Sequence, residues 1–219
     1  MPNGQVYGQR YCLADLGTLG GGTSMANAIN NSGQVAGQAD TSSGTYHAFL
    51  YSNGLMRDLG TLGGKNSVAF GINSIGQVVG YAETSGPQWH AFLYSNGLMS
   101  GLGTWGGDNS QALGINNNGQ VVGFAFGYSA FLYSNGSGYN LGTLFSDKNQ
   151  ESVARGINAS GEIVGSYASM GPNFFQHAFL YSNGSMHDLG SFGGKWTVAT
   201  GINDNGQIVG YSYSNGLEN

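Results

Sequence analysis

An all-β fold, a five-bladed β-propeller of four-stranded blades, is what this sequence predicts, and three observations predict it. The phrase Gly-Ile-Asn-x-x-Gly-Gln-Val-Val-Gly, with small variations, occurs at Ala28–Gly37, Gly71–Gly80, Gly114–Gly123, Gly156–Gly165 and Gly201–Gly210. Its copies are 43, 43, 42 and 45 residues apart, a period that marks an array of supersecondary units. The segments between turns alternate and are rich in β-branched and aromatic residues, with no sustained 3.6-residue period, which favours strands over helices. Finally, the chain ends are complementary. After Gly210 the last repeat holds only strands one and two, while Gln5–Gly17 aligns with strands three and four at Ala48–Gly60.

Within a repeat, strand one is Ser-x-Ala-x-Gly-Ile-Asn (Ser67–Asn73) and strand two is Gly-Gln-Val-Val-Gly-Tyr-Ala (Gly76–Ala82). Strand three is His-Ala-Phe-Leu-Tyr-Ser (His90–Ser95), and strand four is Leu-Met-Arg-Asp-Leu-Gly (Leu55–Gly60). Asn53-Gly54, Asn96-Gly97, Asn135-Gly136 and Asn183-Gly184 join strands three and four, and Asn-Gly takes the positive φ angles of a type I′ hairpin. Asn first and Gly fourth between strands one and two suit a type I turn. The predicted blades are 24–60, 67–103, 110–142, 152–190, and 197–213 completed by 5–17. That shared last blade would clasp the ring and remove its open sheet edges. Arg10-Tyr11 replaces Asn-Gly in the clasp, and an open solenoid or a domain-swapped assembly are the rival arrangements.

Composition narrows the function. The chain carries 41 glycines among 219 residues, far above the usual ~7%, and they recur at repeat positions, where they serve turns and close strand contacts. Net charge is −5 with six Lys and Arg in all, which argues against nucleic acid, since phosphate neutralisation needs clustered cations. No run of 18 apolar residues would insert in a membrane, and Met-Pro-Asn-Gly-Gln at the start carries no signal-peptide pattern. Cys12 is single, so no internal disulfide is expected. It takes the place of Leu55 and Leu98, which reads as a small buried hydrophobe.

The phrase His-Ala-Phe-Leu-Tyr at His47–Tyr51, His90–Tyr94 and His177–Tyr181, linked to Asp-Leu-Gly-Thr-Leu-Gly-Gly and to the Gly-Ile-Asn motif, resembles the HAF repeat family of bacterial proteins. The likeness spans almost the whole chain, with Ser129 in place of the third-repeat His. What it implies is a repeat architecture and an extracellular or cell-surface location. It brings no catalytic or binding residues.

Antiparallel connections alternate between two faces. The one–two and three–four turns share a nearly uniform face, and the two–three and four–one loops share a variable one. Scaffold-held variable loops are where ligands usually bind. Aromatic residues gather there: Tyr46, Trp89, Tyr128, Phe174, Phe175 and Trp196. Such rings suit the faces of sugars, or they pack between loops. On strand one, the residue before the motif's first position varies, as Asn27, Phe70, Leu113, Arg155 and Thr200. Arg155 near Asp147 and Glu151 would grip an anionic group or form an intrablade ion pair. The equivalent His47, His90 and His177 would spread around the ring, so each anchors a backbone carbonyl and no metal is expected.

The expected function is a non-enzymatic, lectin-like binding module with Tyr46, Trp89, Tyr128, Arg155, Phe174, Phe175 and Trp196 at its glycan or polar-ligand site, and no cofactor. Nucleophile elbows, zincin motifs and P-loops are missing from the sequence. The Gly-Gly pairs after Leu19, Leu62, Trp105 and Phe192 precede no helix that could receive a phosphate. The alternatives are a hydrolase or lyase at the axial mouth, using Glu83, His90, Asp147, Glu151 and Arg155, and a structural or protein-interaction scaffold.

Overall fold

The computed structural model describes residues 13–127, 129–144, 150–169 and 174–213. The first sheet contains β1 (Gly20–Ile29), β2 (Val35–Thr41), β3 (Tyr46–Ser52) and β4 (Leu55–Asp58), hydrogen-bonded in that order. The second contains β5 (Gly63–Ile72), β6 (Val78–Thr84), β7 (Trp89–Ser95) and β8 (Leu98–Gly103). The third is built from β9 (Ser110–Ile115), β10 (Val121–Ala125), β11 (Ser129–Ser134) and β12 (Ser137–Gly142). The fourth comprises β13 (Gln150–Ile157), β14 (Ile163–Ser169), β15 (Phe175–Ser182) and β16 (Ser185–Asp188). The fifth repeat contributes the pair β17 (Trp196–Ile202) and β18 (Ile208–Tyr213), linked to β15 by one parallel bridge at Gln176–Trp196. Pairing within every repeat is antiparallel.

The repeated phrase is a set of local constraints. In the one–two turn the Gly76 amide donates to the Asn73 carbonyl at 3.1 Å, and the Gln77 amide donates to Asn73 Oδ1 at 3.0 Å. Asn73 Nδ2 in turn donates to Gln77 Oε1 at 2.7 Å, so the motif's Asn, Gly and Gln interlock. In the fourth repeat Glu162 stands in for the Gln and accepts from Asn158. The Asn-Gly hairpins have both residues at positive φ, 52° and 82° at Asn53-Gly54, as a type I′ turn requires.

The motif's last glycine has a different cause. Every first strand carries a β-bulge, and the extra residue is Asn27, Phe70, Leu113, Arg155 or Thr200. The bulge brings the carbonyl two residues earlier, that of Val68 for Phe70, against Gly80 so closely that a Cβ would overlap the oxygen. Gly37, Gly123, Gly165 and Gly210 sit under the same carbonyl in their repeats. Bulges re-aim side chains, and here they fall on the very position that varies among repeats.

Successive sheets pack face to face, and their first strands lie against one another in chain order. Between the first two sheets, Ala36, Ala48 and Leu59 meet Ala69, Val78 and Phe92. Equivalent clusters recur between the second and third sheets and between the third and fourth. Phe49, Phe92, Phe131 and Phe179, the aromatic residues of the His-Ala-Phe phrase, are the largest repeated core side chains, with at most 1% exposure. A buried serine staples each of these three seams. Ser67 Oγ accepts from the Ala48 amide at 2.8 Å and donates to the Gly60 carbonyl at 2.6 Å, and Ser110 and Ser152 do the same. A ladder of carboxamides runs parallel to the staples: Asn30, Asn73, Asn116 and Asn158 each donate to the carbonyl of the next repeat's Asn.

Several expectations change. β1 and β5 start at Gly20 and Gly63, four residues before the expected Ser24 and Ser67, because Gly21 and Gly64 let the backbone lie directly over Asp40 and Glu83. Among the described residues the array does not close on itself. Met25 and Ile29 on β1, and Val209 and Tyr211 on β18, are more than half exposed. Residues 5–12 of the expected clasp, Cys12 included, lie outside the described residues, and Leu13–Thr18 form no strand.

Candidate functional site

Gln34 Nε2 reaches Ser52 Oγ at 3.3 Å and Gln77 Nε2 reaches Ser95 Oγ at 3.1 Å. The one–two and three–four turns therefore share one face, and the variable loops lie at the opposite strand ends.

On the variable face the expected aromatic residues separate into two groups. Around the second and third sheets, Phe70 contacts Tyr81 (5.9 Å between ring centres), Tyr81 contacts Trp89 (6.5 Å), and Trp89 meets Phe126 edge-on (5.6 Å). The Tyr46 amide donates to Asn66 Oδ1 at 3.2 Å. Burial, together with the neighbouring Tyr46 side chain, raises the Tyr81 pKa. Trp89 Nε1 is buried and has no hydrogen-bond partner among the described residues. These rings pack on one another across a seam. The second group lies where the fourth sheet meets the fifth repeat: Phe174 contacts Trp196 at 5.2 Å, and Trp196 meets Tyr213 at 6.3 Å. Trp196 is 45% exposed. Phe175 turns instead toward Tyr167 and His177 (5.9 and 4.8 Å). Among the described residues no ring contact links the two groups. Tyr128 and Asp147 lie outside the described residues.

The charged candidates are dispersed. Glu83 accepts from Asn66 Nδ2 at 2.9 Å and from the Lys65 amide at 3.1 Å. The Asn66 bond outweighs partial burial and holds this carboxyl below its ordinary range. Glu83 thus fastens the start of β5 to the end of β6, as Asp40 fastens Thr23 in the first sheet. Burial raises the Glu151 pKa. Among the described residues Arg155 forms no ion pair with Glu151, and its other expected partner, Asp147, lies outside them. Arg155 is the bulge residue of β13, and its Nε is buried without a partner among the described residues.

The histidines also differ from expectation. His47 Nδ1 lies 2.8 Å from Asp58 and His177 Nδ1 lies 3.2 Å from Asp188, so a carboxylate on strand four replaces the expected backbone carbonyl. At Asp188 burial opposes ionisation, but the Gly190 amide, His177 and the Tyr167 hydroxyl hold its pKa down. His90 has no such pair because Gly101 stands where the aspartate would be. Among the described residues no three His, Cys, Asp or Glu side chains gather as a metal site would require.

A concavity shared by all five repeats lies on the face expected to be uniform. The turns after the first strands surround a depression of about 220 Å³, to which the repeats contribute Asn31, Ser74, Asn117, Ala159 and Asp204 in turn. Ile72, Ile115 and Ile157 also line it, but its surface is mostly polar. Sequence reading missed these residues because the Asn-x-x-Gly frame repeats so regularly. The signal lay in its first x position, which differs in kind from copy to copy. No family model matches this chain, and no curated protein matches it in sequence.

Proposed function

We propose that this chain is a closed five-bladed β-propeller of the HAF-repeat type, acting outside the cell as a non-enzymatic module that binds glycan on its variable face. Support for closure comes from the N-terminal residues. Asp15–Leu19 reproduces the link Asp58–Leu62: the Gly17 amide caps on Asp15 as Gly60 does on Asp58, and Leu19 donates to Asp40 as Leu62 does to Glu83. Leu16 and Leu19 cover Phe49 as Leu59 and Leu62 cover Phe92. Residues 13–19 therefore occupy the place of a preceding blade's end. At the other terminus an apolar hollow beside Ala178, Leu189, Val198 and Ile208 lies where the phenylalanine of a third strand packs in the complete blades. Strands from Gln5–Gly17 would fill it and cover β18.

The observation that carries the binding reading is the Phe174–Trp196–Tyr213 group, whose central indole is 45% exposed on a loop-bearing face. Exposed rings beside many amides and hydroxyls, with little charge, fit a neutral sugar surface. Glu83 is committed to holding β5, which removes one carboxylate from the hydrolytic alternative.

The expected result is that Trp196→Ala weakens glycan binding by about tenfold or more while leaving the melting temperature nearly unchanged. Trp89→Ala should instead lower the melting temperature. A glycan array with no hits, or a Trp196→Ala variant that binds like the parent, would overturn the reading.

A further inference from the structure

We propose that the axial depression on the opposite face is a second binding site, for one neutral sugar ring of monosaccharide size. It is independent of the aromatic platform, from which the whole molecule separates it.

The depression is built, since five repeats must converge to form it. The conserved-frame residues beneath it are fully engaged: Asn73 and Asn116 each direct both amide functions into the turn and the ladder. The rim residues keep free capacity. Asn117 Oδ1 accepts from the Ser74 amide at 2.9 Å, and its Nδ2 has no partner among the described residues. Asp204 Oδ1 accepts from the Ala159 amide at 2.8 Å, and its second carboxylate oxygen takes no hydrogen bond among the described residues. The side chains of Asn31 and Ser74 likewise make none. The depression therefore offers amide donors, a hydroxyl and a carboxylate acceptor in a mostly polar lining.

That combination matches a pyranose. Its hydroxyls would both donate to Asp204 and accept from Asn31 and Asn117. A volume of about 220 Å³ is below the ~300–1,000 Å³ of pockets for drug-sized ligands, which limits the guest to one ring. One carboxylate with no lining cation disfavours an anionic sugar.

The test is calorimetric titration of the full chain with glucose, galactose, mannose and glucuronate. At least one neutral hexose should bind in the millimolar range, and glucuronate should bind more weakly than that hexose. Asp204→Asn retains the acceptor for Ala159 and should weaken binding about tenfold, as expected for loss of a charged hydrogen-bond acceptor. Asn31→Trp fills the depression from an exposed turn position and should abolish binding, whereas Trp196→Ala should leave it intact. If Asn31→Trp fails to fold, Asp204→Asn decides. Absence of binding by all three hexoses, glucuronate binding as tight as theirs, or an unchanged affinity in Asp204→Asn would overturn the proposal. Loss in Trp196→Ala would place the sugar on the aromatic platform and overturn it equally.

Discussion

Gly80→Ala should cost about 4 kcal/mol or more, enough to unfold most of a domain whose stability is of order 5–15 kcal/mol. Gly80 is extended and needs no special φ, so the cost is not one of backbone strain. It arises because the bulge at Phe70 presses the Val68 carbonyl onto the Gly80 Cα, where any Cβ would overlap that oxygen. The obstruction is backbone on both sides, and relief would require breaking β5 from β6. Relaxing that pair would also disturb the Asn73 turn and the Asn ladder. Gly22→Ala is the control, because a Cβ there meets nothing within 4 Å, and it should change stability by less than about 0.5 kcal/mol. Urea unfolding followed by circular dichroism reads both.

Phe92→Ala is the second large effect, with an expected loss of about 3–5 kcal/mol. The ring is fully buried and packs on Ala36, Ala48 and Leu59 of the preceding sheet and on Ala69 and Val78 of its own. Those neighbours are mostly small and sit on paired strands, so they cannot collapse into the cavity. Phe92→Leu keeps most of the volume and should cost much less. Measured by chemical denaturation, equal losses from both variants would show that the seam tolerates a void, contrary to this packing scheme.

The scaffold was legible because its causes are local. Asn-Gly announces the hairpin through positive φ, and Asn-x-x-Gly-Gln closes its own turn through side-chain bonds. The last glycine of the motif, by contrast, could be counted but not explained from sequence, since the reason is a bulge on a neighbouring strand. The same bulge shows why Asn27, Phe70, Leu113, Arg155 and Thr200 vary freely: each is the unpaired residue of its strand. Partnerships across strands were harder to read. His47 and Asp58 stand eleven residues apart and meet only through the β3–β4 register, so a carbonyl partner was the wrong expectation. The aromatic residues of the variable face can be named from sequence, but not their surroundings. Only packing separates Trp89, held in a seam, from the half-exposed Trp196.

Closure of the ring is the central claim, and amide hydrogen exchange along β18 tests it most directly. Val209, Tyr211 and Tyr213 lie on a strand paired on one side by β17. If Gln5–Gly17 completes the fifth blade, the β18 amides that do not donate to β17 will be protected in the full chain and will exchange rapidly once residues 1–12 are removed. Rapid exchange of those amides in the full chain would contradict a closed propeller.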